Sequence, residues 1–95
     1  MTSLIFIFDS CPPPIVAAKL KLWDIEVTAL TDCPGLKRVL KHRLREDIHD
    51  KFAVVVGDKE LAERLGVAYA SYQEVEVFLQ YLEKEVSPAY MPYLQ

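Results

Sequence analysis

Ninety-five residues, 52% of them hydrophobic and 26% charged, suffice for one domain with a real core and are too few for two. A formal net charge of −3 argues against a chain that binds nucleic acid over its whole surface, and two cysteines are too few for a secreted disulfide scaffold. No apolar run approaches the roughly 20 residues that span a bilayer; the run at the N-terminus has no basic segment before it and ends in Asp9, so no signal peptide is expected and the expected location is cytoplasmic.

In chain order, Leu4 to Phe8 is a continuous apolar run of β-formers, the pattern of a strand buried on both faces. Ser10-Cys11-Pro12 then predicts a helix start, with proline where a helix needs no N–H. That helix should run to about Trp23 and bury Ile15, Val16, Ala18, Leu22 and Trp23. Ile25 to Leu30 alternates Ile25, Val27 and Ala29 with Glu26 and Thr28, which predicts a half-exposed second strand at a sheet edge. Asp32-Cys33-Pro34 predicts a second helix reaching Arg45, with Leu36, Val39, Leu40 and Leu44 as its inner stripe.

Phe52 to Val56 reads as a third, fully buried strand, and Gly57-Asp58 turns it into a short helix that Gly66 ends. Val67 to Ala70 makes a short fourth strand. Ser71 and Glu74 have the spacing of a capping box for a last helix whose inner face is Val75, Phe78, Leu79, Leu82 and Val86. Strands alternating with helices through short connections give an α/β fold: one three-layer domain over residues 1–86, a short parallel sheet with helices on both faces. With the most apolar strands central, the expected order is 2-1-3-4, a flavodoxin-like arrangement. Residues 87–95 form a tail rich in proline and tyrosine.

Charge is unevenly spread. Lys37, Arg38, Lys41, Arg43 and Arg45 fall in one stretch without an acid, leaving six basic residues against fourteen acids elsewhere. On the predicted second helix, Lys37, Lys41 and Arg45 recur every four residues and line one face. Such a row can follow an RNA phosphate backbone, and it also suits a solvated helix face. Ligands of open parallel sheets bind beyond the carboxyl ends of the strands. Asp9, Asp32 and Asp58 fall there, after the first, second and third strands. With the first and third strands adjacent, Asp9 and Asp58 would stand about 5 Å apart at the backbone. Paired carboxylates suit Mg²⁺ or Mn²⁺ and phosphoryl hydrolysis; each Asp also suits a helix cap.

The segments Phe6-Ile7-Phe8-Asp9-Ser10-Cys11-Pro12-Pro13-Pro14, Leu20, the strand from Ile25 to Leu30, and Val54-Val55-Val56-Gly57-Asp58-Lys59-Glu60-Leu61 together resemble the small PIN-like ribonuclease domains. The resemblance covers most of residues 4–82. It implies Mg²⁺- or Mn²⁺-dependent RNA cleavage, with Asp9 and Asp58 as metal ligands and Asp32 as a third catalytic acid. The chain departs from that pattern at Val56, where a threonine or serine is usual. A second resemblance runs through Leu36 to Leu44 and Phe52 to Leu61, which is similar to the anticodon-binding domain of class II aminoacyl-tRNA synthetases. That one implies an RNA- or protein-interaction module without catalysis.

Cys11 precedes a helix start, which lowers a thiol's pKa, and Cys33 should lie near it at the same end of a neighbouring strand. His42 and His49 have no partner at metal-ligand spacing and read as surface residues. No glycine-rich phosphate loop is present, which argues against a nucleotide cofactor. In the tail, Tyr90, Met91, Tyr93 and Leu94, broken by Pro88 and Pro92, suggest either a cover over the chain's own sheet edge or a homodimer contact.

Overall fold

Leu4, Phe6 and Phe8 alternate with Ile5 and Ile7, so an extended backbone sends large apolar groups to both sides. The computed structural model describes residues 3–85 and makes this segment β1 (Ser3–Phe8), the middle of a sheet. It pairs in parallel with β2 (Glu26–Ala29) on one side and β4 (Lys51–Val56) on the other. A two-residue strand, β3 (Lys37–Arg38), lies outside β2, and β5 (Ala68–Ala70) lies outside β4. The sheet is wholly parallel, in the order β3-β2-β1-β4-β5.

The α/β class is as the sequence predicts. The four expected strands keep their relative order, but the flavodoxin-like four-strand sheet is corrected by β3, which takes the edge assigned to β2. The result is the 3-2-1-4-5 order of the doubly wound fold. Strand β2 is correspondingly mostly buried, and even Thr28 is only 1% exposed, its hydroxyl donating to the Phe6 carbonyl at 3.5 Å.

Two cores lie on opposite faces of the sheet. Phe6, Phe8, Val27 and Val56 pack against α1 (Pro14–Leu22) and α4 (Tyr72–Glu85) through Val16, Leu20, Val75 and Leu79. Ile5, Ile7, Ala53 and Val55 pack against α2 (Leu44–Ile48) and α3 (Lys59–Leu65) through Leu44, Ile48, Leu61 and Ala62. Among the described residues no helix is long and apolar enough to cross a membrane.

Helix α1 starts two residues later than predicted. Cys11, Pro12 and Pro13 each precede a proline, which disfavours helical backbone, and Pro13 is extended at φ −58°, ψ 143°. The shift turns the helix, so Val16, Ala17 and Leu20 are buried while Ile15 and Leu22 are exposed. The predicted helix from Asp32 to Arg45 does not form. Cys33-Pro34-Gly35-Leu36 is a tight turn closed by Leu36 N–H donating to Cys33 O at 3.1 Å, with Gly35 at φ +76°. That geometry wants proline second and glycine third. The chain continues as β3, a 3₁₀ turn over Lys41–Arg43 and then α2.

The remaining starts and stops follow the sequence. Asp58 caps α3 and Gly66 ends it in the left-handed region. Ser71 and Glu74 exchange the two hydrogen bonds of a capping box, at 3.1 and 2.8 Å. Rings add to the α4 contact, with Phe6 and Phe78 centroids 5.9 Å apart and Phe8 and Tyr72 6.4 Å apart. Val86 and the tail residues Tyr90, Met91, Tyr93 and Leu94 lie outside the described residues.

Candidate functional site

The chain reverses its winding between β1 and β4, so ligand-binding loops are sought at the carboxyl ends of these strands and of β2. Asp9 follows β1 directly; its N–H donates to Val56 O at 2.9 Å and its side chain is exposed. Gly57 follows β4 at φ +95°, and a Cβ there would stand 3.2 Å from the Asp9 Cβ, so the two loops touch and only glycine fits. Asp32 follows β2, exposed, with Arg38 Nη1 at 3.6 Å.

Asp58 is half-buried and fully engaged. Its Oδ1 accepts from Leu61 N–H at 3.0 Å, and its Oδ2 lies 3.6 Å from Lys41 Nζ. The Leu61 hydrogen bond holds the Asp58 carboxyl below the usual carboxylate range; partial burial opposes this, and the charges of Lys41 and Arg64 reinforce it. The three acids thus end adjacent strands as the sequence predicts, but two of them already hold cations. Among the described residues no three His, Cys, Asp or Glu side chains converge on a point where an ion could sit. A divalent ion at Asp58 would have to displace Lys41.

A phosphate cradle at the start of α1 is also unfavourable. Pro12, Pro13 and Pro14 have no N–H, and the N–H groups of Val16 and Ala17 donate to Pro13 O at 3.0 and 3.2 Å. The helix start therefore lacks most of the amide donors that hold an anion.

The basic residues gather elsewhere. Lys37, Lys41 and Arg45 do not share a helix face: they stand on β3, on the 3₁₀ turn and on α2. The irregular path nevertheless exposes every basic residue of the stretch, Lys37, Arg38, Lys41, His42, Arg43 and Arg45 alike. Between the 3₁₀ turn, α2 and α3 lies an open cavity of about 320 Å³ lined by Lys41, His42, Arg45 and Arg64 over a floor of Leu61 and Leu65. A second hollow, of about 240 Å³, is lined by Lys37, Arg38, Arg43 and the single acid Asp47. Arg45 spans the first cavity and donates to Arg64 O at 2.6 Å, tying α2 to the end of α3. Among the described residues, no carboxylate stands at ion-pair distance from Lys37, Arg43 or Arg45. The sequence signals the cluster through its acid-free stretch, whereas Arg64 joins it only through the packing of α3.

Cys11 and Cys33 form a disulfide between the loops after β1 and β2, with Cα atoms 5.6 Å apart. The sequence places them near one another, and the parallel pairing of β1 with β2 brings them together.

Compared with protein-family models, curated proteins and solved structures, the chain matches none. Fold and site together describe a doubly wound α/β domain with a cationic flank and a disulfide across its carboxyl edge.

Proposed function

We propose that the chain is an RNA-binding α/β module that holds the phosphodiester backbone along the segment from Lys37 to Arg45, with Arg64 completing the surface. The supporting observation is that the basic stretch, with Arg64, lines two open hollows through seven basic side chains and one acid. Phosphate contacts of this kind supply affinity with little sequence preference. Arg45, fixed by its bond to Arg64 O, acts as a strut; Lys37, Arg43 and Arg64 have no carboxylate at ion-pair distance among the described residues, and Lys41 is shared with Asp58. The two apolar floor residues, Leu61 and Leu65, leave room for the edge of a sugar or base.

The experiment is fluorescence anisotropy with a labelled single-stranded RNA, comparing the chain with Arg64→Gln. The substitution keeps the Arg64 carbonyl that Arg45 needs, so the fold is retained and weaker binding reports the surface itself. An affinity equal to that of the unmodified chain removes Arg64 from the interface.

A further inference from the structure

The disulfide sits where such folds do their chemistry, and the loops on its two sides differ in a way that matters. Cys11 is exposed and leads into Pro12-Pro13-Pro14, which fix its backbone; Cys33 is half-buried and leads into the Pro34-Gly35 turn. The Thr31 hydroxyl lies 3.7 Å from the Cys11 Sγ and 3.6 Å from the Cys33 Sγ, and so can donate to either. The Cys11 Sγ is also 3.4 Å from the Asp32 carbonyl oxygen. A disulfide sulfur has no proton to give that oxygen, whereas a Cys11 thiol has one. Both products of reduction therefore find partners already in place: Cys11 S–H donates to Asp32 O, and a Cys33 thiolate accepts from Thr31 O–H.

We propose that Cys11–Cys33 is an exchange-active disulfide that accepts two electrons from a protein or small-molecule dithiol. An incoming thiolate attacks the exposed Cys11 Sγ, a bond forms between the two sulfurs, and the Cys11–Cys33 bond breaks with Cys33 leaving as thiolate. The partner's second thiol, deprotonated, then attacks its own sulfur in the mixed disulfide and releases Cys11 as thiolate. The two protons lost by the partner end on Cys11 and Cys33, and the partner leaves as a disulfide. Exposure selects Cys11 as the attacked sulfur, and Thr31 is a positioning residue that stabilises the leaving Cys33 thiolate.

The experiment incubates the native chain with dithiothreitol without denaturant and follows both thiols by alkylation and mass spectrometry, with circular dichroism recorded in parallel. The expected result is full reduction at a rate proportional to dithiol concentration, with the fold retained. Thr31→Val should slow that rate about fivefold, the effect of one hydrogen bond, without altering the spectrum. With oxidised glutathione, Cys33→Ser should form a mixed disulfide at Cys11 faster than Cys11→Ser does at Cys33. A rate independent of dithiol concentration, loss of structure on reduction, or a Thr31→Val rate equal to that of the unmodified chain would overturn the proposal.

Discussion

Lys41 Nζ stands 3.6 Å from Asp58 Oδ2 while the other oxygen of the same carboxylate caps α3. One side chain thus joins the basic segment to the carboxyl edge of β4 and leaves Asp58 with a structural role. A group held below its usual pKa in the folded state contributes stability that is present above the unfolded value, about 3.9, and lost as pH falls through the folded value. Asp58→Asn, which keeps the cap, should fold normally and show a shallower loss of stability on the acid side. Asp58→Ala should lower the melting temperature at neutral pH. Thermal melts of the three proteins from pH 2 to 7 separate the two effects.

The disulfide spans 22 positions of sequence and should restrict the unfolded chain substantially. A loop of that size is worth about 3 kcal/mol in the chain-entropy account. Replacing both cysteines by serine should remove about that much from the free energy of urea unfolding, with a steeper denaturant slope because the unfolded chain becomes less compact. An unchanged midpoint would mean that the loops are held by packing alone.

Tyr72 carries its hydroxyl into the core beside Phe8, buried and without a hydrogen-bond partner among the described residues. Burial, and secondarily the charge of Glu76, pushes its pKa up. The raised value gives stability that is complete below the unfolded tyrosine value of about 10 and lost as pH rises through the folded value. Tyr72→Phe keeps the ring contact and removes the unsatisfied oxygen. It should raise stability by about 1 kcal/mol at pH 7, and by more above pH 10. Chemical denaturation at pH 7 and pH 10.5 reads both.

What could be read from the sequence follows the strength of local signals. Strands β1 and β4 announce themselves by unbroken apolar runs, and α3 and α4 by Asp58, Gly66 and the Ser71–Glu74 pair. The stretch from Pro34 to Arg45 misleads because Leu36, Val39, Leu40 and Leu44 fall at helical spacing. In the structure Val39 reaches the core from extended backbone, and Leu44 does so from α2. The Pro34-Gly35 dipeptide was the opposing signal, since a turn with glycine at positive φ outweighs a short helical pattern. Three prolines similarly delay α1. At the site, the acids and the basic cluster are legible as residues. Their partners are not: Lys41 on Asp58, Arg38 on Asp32 and Arg45 on the Arg64 carbonyl depend on how the edge strand and α3 pack.

Binding of an RNA backbone by the segment from Lys37 to Arg45 is read from the salt dependence of affinity. A variant with Lys37→Gln, Lys41→Gln and Arg43→Gln leaves the Arg45 strut intact. Each phosphate contact on a single strand contributes about 0.7 to the slope of log affinity against log salt, so losing three should reduce that slope by about 2. The unmodified chain should bind single-stranded RNA in a salt-dependent way, and the triple variant should bind more weakly with that shallower slope. Binding that is absent at low salt, or that keeps the same affinity and slope in the triple variant, would contradict it.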